Sequence, residues 1–337
     1  MPSEPPLSAR SRFGRLMGVQ ILGVGSSVPD AVVTNEDLAR LGCDAEWILR
    51  RTGITQRRHA PPDIATGDLA IAAAEQCLAD ANVPPSEVDL VLLGTYTPDQ
   101  LMPATASTVQ AALGITAPAF DIQAACTSFA LALLTGMQYV ATGCSRRVLV
   151  VGADVNSRVV DPADPKTYPL FGDAAGAVLL APGGPEQGIL AFAAGSDGAG
   201  ALLLYRPMGG TRDPFDPARP AEHFLRMDGR AVFKWAIRTL RETTEQVLAA
   251  SGLTLDDVDL VVFHQANLRI IDSAAAELKL PPHKVFNNLD RYGNTASASI
   301  PLALDEAVRA GRIVRGSRVL FSGFGGGLSW ATILLQW

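Results

Sequence analysis

The feature that most constrains the fold is an internal repeat. Glu-Val-Asp-Leu-Val-Leu-Leu-Gly at 87–94 returns as Asp-Val-Asp-Leu-Val-Val-Phe-His at 257–264, an offset of 170 residues in a chain of 337. Each copy follows a helix-like stretch with Leu-Ala at matching places, Leu78-Ala79 and Leu248-Ala249. A second pair, Arg-Val-Leu-Val-Val-Gly at 147–152 and Arg-Val-Leu-Phe-Ser-Gly at 318–323, lies at an offset of 171. One such pair is what chance produces among α/β proteins; two, in the same order at nearly one offset, point to duplication. Apolar runs at 90–93, 148–151, 260–263 and 319–321 suit strands covered on both faces, with helices between them. The reading is two pseudo-repeated βαβαβαββ halves, 18–185 and 186–337, with helices buried between two sheets. Residues 1–17, with Pro, Ser and Arg but no continuous apolar stretch, read as a disordered leader, and the Pro- and Gly-rich segment 205–220 as a surface insertion.

Composition narrows the function. With 48% hydrophobic and 18% charged residues the chain is globular, and a net charge of -6 gives no electrostatic case for nucleic acid or an anionic membrane. The uncharged stretch 122–145 carries Gln, Thr, Ser and Gly, so a buried core helix is expected rather than a membrane span. Four cysteines with no CxxC pair argue against disulfides and structural zinc and for a reducing, cytoplasmic setting. No His/Cys/Asp/Glu cluster has metal-ligand spacing, so neither a metal nor another bound cofactor is called for.

Cys126 is the candidate nucleophile. It sits in Asp-Ile-Gln-Ala-Ala-Cys-Thr-Ser-Phe at 121–129, where a short strand hands over to the uncharged helix. Unpaired N–H groups and the helix dipole at that point are expected to lower its pKa, while a small buried core residue is an equal reading of the local sequence. His264 ends a strand at its carboxyl end, where ligands bind in α/β sheets. Asn294, in Tyr-Gly-Asn-Thr-Ala-Ser-Ala-Ser at 292–299, takes the place in the second half that Cys126 takes in the first (offset 168), so the two are expected to meet near the pseudo-two-fold axis. The run Gly323-Phe324-Gly325-Gly326-Gly327 lacks the signature of a phosphate loop and suits close approach of a backbone N–H to a reacting carbonyl oxygen.

At these residues the chain resembles the β-ketoacyl-acyl-carrier-protein synthase III family of the thiolase superfamily. The similarity runs from about Val19 to Trp337 and rests on Ala-Ala-Cys (124–126), Phe-Gly-Asp-Ala-Ala-Gly-Ala (171–177), His-Gln-Ala-Asn-Leu-Arg (264–269), the 292–299 segment and Gly-Phe-Gly-Gly-Gly-Leu-Ser-Trp (323–330). The resemblance implies a thiolase-like α/β fold with five αβαβα layers, and a decarboxylative Claisen condensation of an acyl-CoA primer with malonyl-acyl-carrier protein that initiates fatty-acid synthesis. Coenzyme A would enter only as part of the substrate. Cys126 would be acylated, with the N–H groups of Cys126 and Gly326 as oxyanion hole and His264 and Asn294 as donors to the enolate. Trp47 and Arg51 would hold coenzyme A, Arg269 would meet the carrier protein, and Met102 would shape the primer pocket from the other subunit of a homodimer. Three departures stand out: Thr127-Ser128 where Ala-Gly is common, Lys166 where an arginine is usual, and Ala276-Glu277 in place of a basic pair. Two other readings use the same fold, a secondary-metabolite priming synthase or acyltransferase and a non-catalytic partner subunit.

Overall fold

The computed structural model describes residues 10–337. Two five-stranded sheets form its frame. The first runs β2 (Val19–Ser27), β8 (Ala174–Pro182), β7 (Val148–Asp154), β5 (Leu90–Gly94), β6 (Ala119–Ile122); the second runs β1 (Arg12–Met17), β9 (Gly188–Ser196), β14 (Ser329–Gln336), β13 (Arg318–Gly325), β12 (Leu260–Phe263). The repeat is visible in the registers. Leu90 pairs with Val148 in parallel, and Leu260 with Val319 in parallel. Val91 pairs with Ala119 of β6, and its counterpart Val261 makes an isolated parallel bridge to Val285.

Side-chain alternation then sets the layers. Leu90 and Leu92, with Val148 and Val150, pack inward against α4 (Ser128–Ala141) and α8 (Ser299–Arg309). Leu260, Val262, Val319 and Phe321 of the second sheet join the same cluster. Val91, Leu93, Leu149 and Val151 point the other way, onto α2 (Thr66–Ala81) and α3 (Thr105–Ala112). Val261, Phe263 and Leu320 likewise meet α5 (Gly229–Ser251) and α6 (Leu268–Glu277). Helices, sheet, helices, sheet, helices: these are five layers, and the uncharged α4 lies in the middle one, enclosed by sheets on both sides. No described helix is long and apolar enough to cross a membrane.

Smaller elements lie at the carboxyl ends of the strands. They are α1 (Ala45–Thr52) with the hairpin β3 (Val32–Thr34) and β4 (Gln56–Arg58), the two-residue pair β10 (Leu204–Tyr205) and β11 (Arg226–Met227), and α7 (Leu289–Tyr292). Between β10 and β11 the Pro- and Gly-rich segment is held by Arg219, which bonds Asp213, Asp216 and Glu222, and by Met208, which is buried.

The leader expectation needs correction where it is described. Residues 12–17 are strand β1, paired antiparallel with β9 through Arg12↔Ala194 to Met17↔Gly188. Ser11 accepts a hydrogen bond from the Trp330 indole at 3.0 Å, and Arg10 is ion-paired with Asp197. Arg12 and Arg15 are charges of the kind an edge strand carries, but Phe13 and Leu16 stand three residues apart, so the short run shows neither period-two alternation nor a long apolar signal. Residues 1–9 lie outside the described residues.

Backbone closeness at the centre depends on glycine. A Cβ on Gly152 would stand 2.4 Å from the carbonyl oxygen of Ser297, whereas one on Gly198 would meet nothing within 4 Å. Gly152→Ala is therefore expected to cost about 1–3 kcal/mol through forced backbone shifts and Gly198→Ala to stay within about 0.5 kcal/mol of the parent. Urea unfolding of the two variants side by side measures the contrast.

Candidate active site

Two turns of identical design meet at the middle layer. Residues 125–127 form a 3-10 turn leading into α4, and residues 296–298 form one leading into α8. Each begins with an alanine in the left-handed region, Ala125 at φ 49° and Ala296 at φ 48°, a conformation that costs a non-glycine residue free energy and is found where structure around it compels it. The compulsion comes from hydrogen bonds. Ser128 Oγ accepts from the Ala124 N–H at 2.8 Å and donates to the Ala125 carbonyl at 2.6 Å. Ser297 donates from its hydroxyl to the same Ala125 carbonyl at 3.1 Å.

These turns revise one expectation. The counterpart of Cys126 is Ser297, at an offset of 171, and not Asn294, which lies three residues earlier. Asn294 is placed independently. It follows Gly293 (φ 65°), donates its N–H to Leu170 O at 2.8 Å and accepts from the Gly172 N–H at 3.0 Å. Its side-chain Oδ1 accepts from the Ala296 N–H at 2.9 Å. With the oxygen engaged, the amide NH2 is the end left to donate.

His264 follows β12. Its N–H donates to Ser322 O at 2.9 Å, its ring meets Phe324 edge-on at 5.1 Å between centroids, and it is 1% exposed. Burial pushes its pKa down to about 3, so the imidazole is neutral. Its Nδ1 is buried without a hydrogen-bond partner.

Cys126 is 8% exposed, and here the sequence reading fails in sign. Burial, followed by the negative charge of Asp154, pushes the thiol up to about 12, against a smaller lowering by a backbone N–H. The turn's N–H groups are present, but desolvation outweighs them. Asp154 is fully buried at the end of β7. It accepts from Thr95 Oγ1, Tyr96 N, Thr97 N and Thr97 Oγ1 at 2.8–3.1 Å and from Ser297 N at 2.8 Å.

Cys126, His264 and Asn294 open into one cavity of about 960 Å³, together with Phe324 and Gly325. Gly325 lies against the backbone of Cys126: a Cβ there would be 2.8 Å from the Cys126 nitrogen. Gly326 sits one residue on, where a Cβ would be 3.5 Å from that of Ala125 and 3.0 Å from Leu204 O. Trp47 and Arg51 line the same cavity, the guanidinium 5.5 Å from the Trp47 ring centroid, and so does Arg269, 5.5 Å from that of Phe233. Lys166 lines it too. Met102 does not; it is 84% exposed beside Leu101. Thr127 and Ser128 are fully buried and bonded away from the cavity, Thr127 to Ser329 O at 3.3 Å. Sequence reading missed Arg226 and Arg230, which add cations to the lining. The start of α5 at Asp228-Gly229 signals a helix, but nothing local says that it faces this cavity.

The 3-oxoacyl-[acyl-carrier-protein] synthase III model matches residues 120–206, and the model for the C terminal of the same enzyme matches 248–337. The first matched segment contains Cys126, and the second contains His264 and Asn294. A β-ketoacyl-[acyl-carrier-protein] synthase III of Rhodopirellula baltica is 54% identical over 345 residues, covering 96% of this chain and all of that protein. The chain belongs to the β-ketoacyl-acyl-carrier-protein synthase III family. It is an acyl-transferring condensing enzyme with a thiolase fold. Among solved structures, the synthase III of Aquifex aeolicus is 40% identical with a TM-score of 0.88, covering 95% of this chain and 100% of that one. The priming β-ketosynthase of the R1128 polyketide pathway is 36% identical with a TM-score of 0.87, covering 100% and 99%.

The buried neutral imidazole of this synthase has a thermodynamic consequence. Its folded pKa lies below the ordinary histidine value, so the unfolded chain binds the proton first. The stability it permits is complete above pH 6.5 and is lost as pH falls from there toward 3. Between pH 7 and pH 5 the wild type should lose about 2 kcal/mol more than His264→Gln, which carries no titrating ring. Urea unfolding at the two pH values tests this.

Proposed function

We propose that this chain condenses an acyl-CoA primer with malonyl-acyl-carrier protein, the step that initiates fatty-acid synthesis. The observation that carries the reading is the convergence, in one cavity with cationic side chains, of a thiol, a neutral imidazole and an amide whose oxygen is already bonded. In the first half-reaction Cys126 Sγ bonds to the acyl carbon, the bond from that carbon to the coenzyme A sulfur breaks, and the Cys126 proton ends on the released thiol. The N–H groups of Cys126 and Gly326 serve the oxyanion. Trp47, Arg51 and Lys166 hold coenzyme A, whose phosphates suit the cationic lining.

In the second half-reaction the malonyl thioester carbonyl accepts hydrogen bonds from His264 and the Asn294 amide. Carbon dioxide leaves, and the electron pair of the broken bond becomes the enolate held by those two donors. The enolate carbon then bonds to the acyl carbon, the bond from that carbon to Cys126 Sγ breaks, and the released thiolate takes a proton from water to restore the thiol. A neutral imidazole suits this work, since the developing charge lies on the substrate oxygen in a site with little water. Arg269, exposed beside the cavity, docks the acidic carrier protein. Leu101 and Met102, both large, apolar and more than four-fifths exposed, 88% and 84%, support a homodimer in which a partner covers them. The setting is cytoplasmic. A secondary-metabolite priming role is the second reading, favoured by the likeness to the R1128 priming enzyme over the whole chain.

Intact mass after incubation with acyl-CoAs tests the nucleophile: one acyl adduct is expected on the wild type and none on Cys126→Ser. Asn294→Ala should still be acylated, while release of labelled carbon dioxide from malonyl-acyl-carrier protein falls about 10²–10³-fold, the loss expected for one donor to an oxyanion. Loss of acylation in Asn294→Ala at equal stability contradicts the assignment.

A further inference from the structure

The segments that carry His264 and Asn294 are both fastened to one face of α8. Ser299, the first residue of that helix, accepts the Gln265 N–H on its hydroxyl at 2.7 Å. Glu306 lies two helical turns further on (306 against 299), and so on the same face. Its carboxylate is bonded entirely by the stretch just before Asn294. Oε2 accepts from Asn288 Nδ2 at 3.0 Å and from Arg291 Nη2 at 2.7 Å, while Oε1 accepts from Arg291 Nη1 at 2.9 Å and from the Tyr292 hydroxyl at 2.8 Å. Asn288 extends the connection to the other donor. Its N–H donates to Gln265 Oε1 at 3.0 Å, and Gln265 Nε2 donates back to Phe263 O at 2.8 Å, so the pair closes around His264. Asn288 and Gln265 are each 1% exposed, and removing the carboxylate would leave a buried amide without its partner.

Helix α7, Leu289–Tyr292, is a single turn, too short to hold its shape in water without tertiary partners. Thr55 bonds the Asp290 carbonyl from the other side, through its N–H at 2.9 Å and its hydroxyl at 2.6 Å. The turn therefore stays attached when Glu306 is changed, but is free to shift. Only Gly293 separates it from Asn294, and the Gly293 N–H is itself bonded to Leu289 O at 2.8 Å, so a displaced α7 carries the Asn294 amide with it. Glu306 does not line the cavity. Whatever it contributes to the reaction passes through the two donors. We infer that Glu306 is a positioning residue for the condensation half-reaction: one carboxylate sets the Asn294 amide through Arg291 and Tyr292, and the His264 ring through Asn288 and Gln265. The inference rests on the reading above that these two groups donate to the malonyl thioester, and it names what fixes their spacing.

Rates of the two half-reactions, measured separately, test this. In Glu306→Ala, acylation of Cys126 by an acyl-CoA, followed by intact mass, should run as in the wild type. In the same variant kcat for carbon dioxide release from malonyl-acyl-carrier protein should fall about tenfold or more with KM unchanged, the signature of misplaced donors rather than of lost binding. Glu306→Gln, which keeps the shape and one acceptor oxygen, should restore part of the loss, and it carries the comparison with the wild type if the alanine variant does not fold. The loss should also shrink in an Asn294→Ala background, because one of the two positioned groups is gone. An equal fall in both half-reactions, an unchanged kcat for carbon dioxide release, or an undiminished loss beside Asn294→Ala overturns the inference. Deuterium uptake needs no substrate and separates the inference from the reading beneath it. If the wild type releases no carbon dioxide, that reading fails, and the fastening is still measured. Faster exchange in the Glu306 variant at 262–268 and 286–296, with unchanged exchange at 119–128, supports it; unchanged exchange at either donor segment, or an equal change at 119–128, overturns it.

Discussion

Asp154 is bonded by donors from both halves of the molecule, and the geometry of the site follows from that arrangement. Its Oδ1 gathers the loop after β5 through Thr95, Tyr96 and Thr97, while Oδ2 takes the N–H of Ser297 from the second turn. Ser297 in turn donates to the carbonyl of Ala125, the residue before Cys126. A buried carboxylate is costly unless its lone pairs are satisfied, and a partly satisfied network is worse than none. Every donor must therefore be in place, which locks two loops and two turns to one another. Burial still raises the pKa of this carboxylate despite its donors.

The same charge acts on the Cys126 thiol. It adds to burial in holding the Cys126 thiol protonated, so the resting cavity presents a neutral thiol, a neutral imidazole and an amide, with formal charge carried by other side chains of the lining, Arg51, Lys166, Arg226, Arg230 and Arg269 against Asp161, Asp164 and Asp228. Such a site is suited to substrates that bring their own charge. Fixed neutral donors stabilise an oxyanion when it forms, without an internal cation whose desolvation would have to be offset beforehand.

The duplicated architecture was legible because it rests on local pattern: apolar runs at a constant offset became strands in equivalent registers, and the uncharged helix became the central layer. Cys126, His264 and Asn294 were found together because each sits at a strand or helix end with a recognisable local signature. What escaped the sequence depends on three-dimensional context. The sign of the Cys126 shift needed the balance between burial and the turn's N–H groups. Pairing Asn294 with Cys126 failed because true equivalence lies in the shared turn, where Ala125 and Ala296 adopt the same left-handed conformation. Arg226 and Arg230 reach the cavity from β11 and the start of α5, a hundred residues or more after Cys126 (226 and 230 against 126), a proximity that no local pattern carries. Strand β1 gains its identity from the free edge of β9.

The twin turns also bear on how many reacting centres one chain can hold. Duplication supplies two elbows of the same shape, and in principle each could carry its own nucleophile. At the second elbow, however, the residue in that position spends its hydroxyl on the first elbow's carbonyl and its N–H on the shared carboxylate. The second copy has become a brace. Giving it a thiol would withdraw the support that the Cys126 turn receives from the Ser297 hydroxyl, so half of the molecule is employed in holding the other half still.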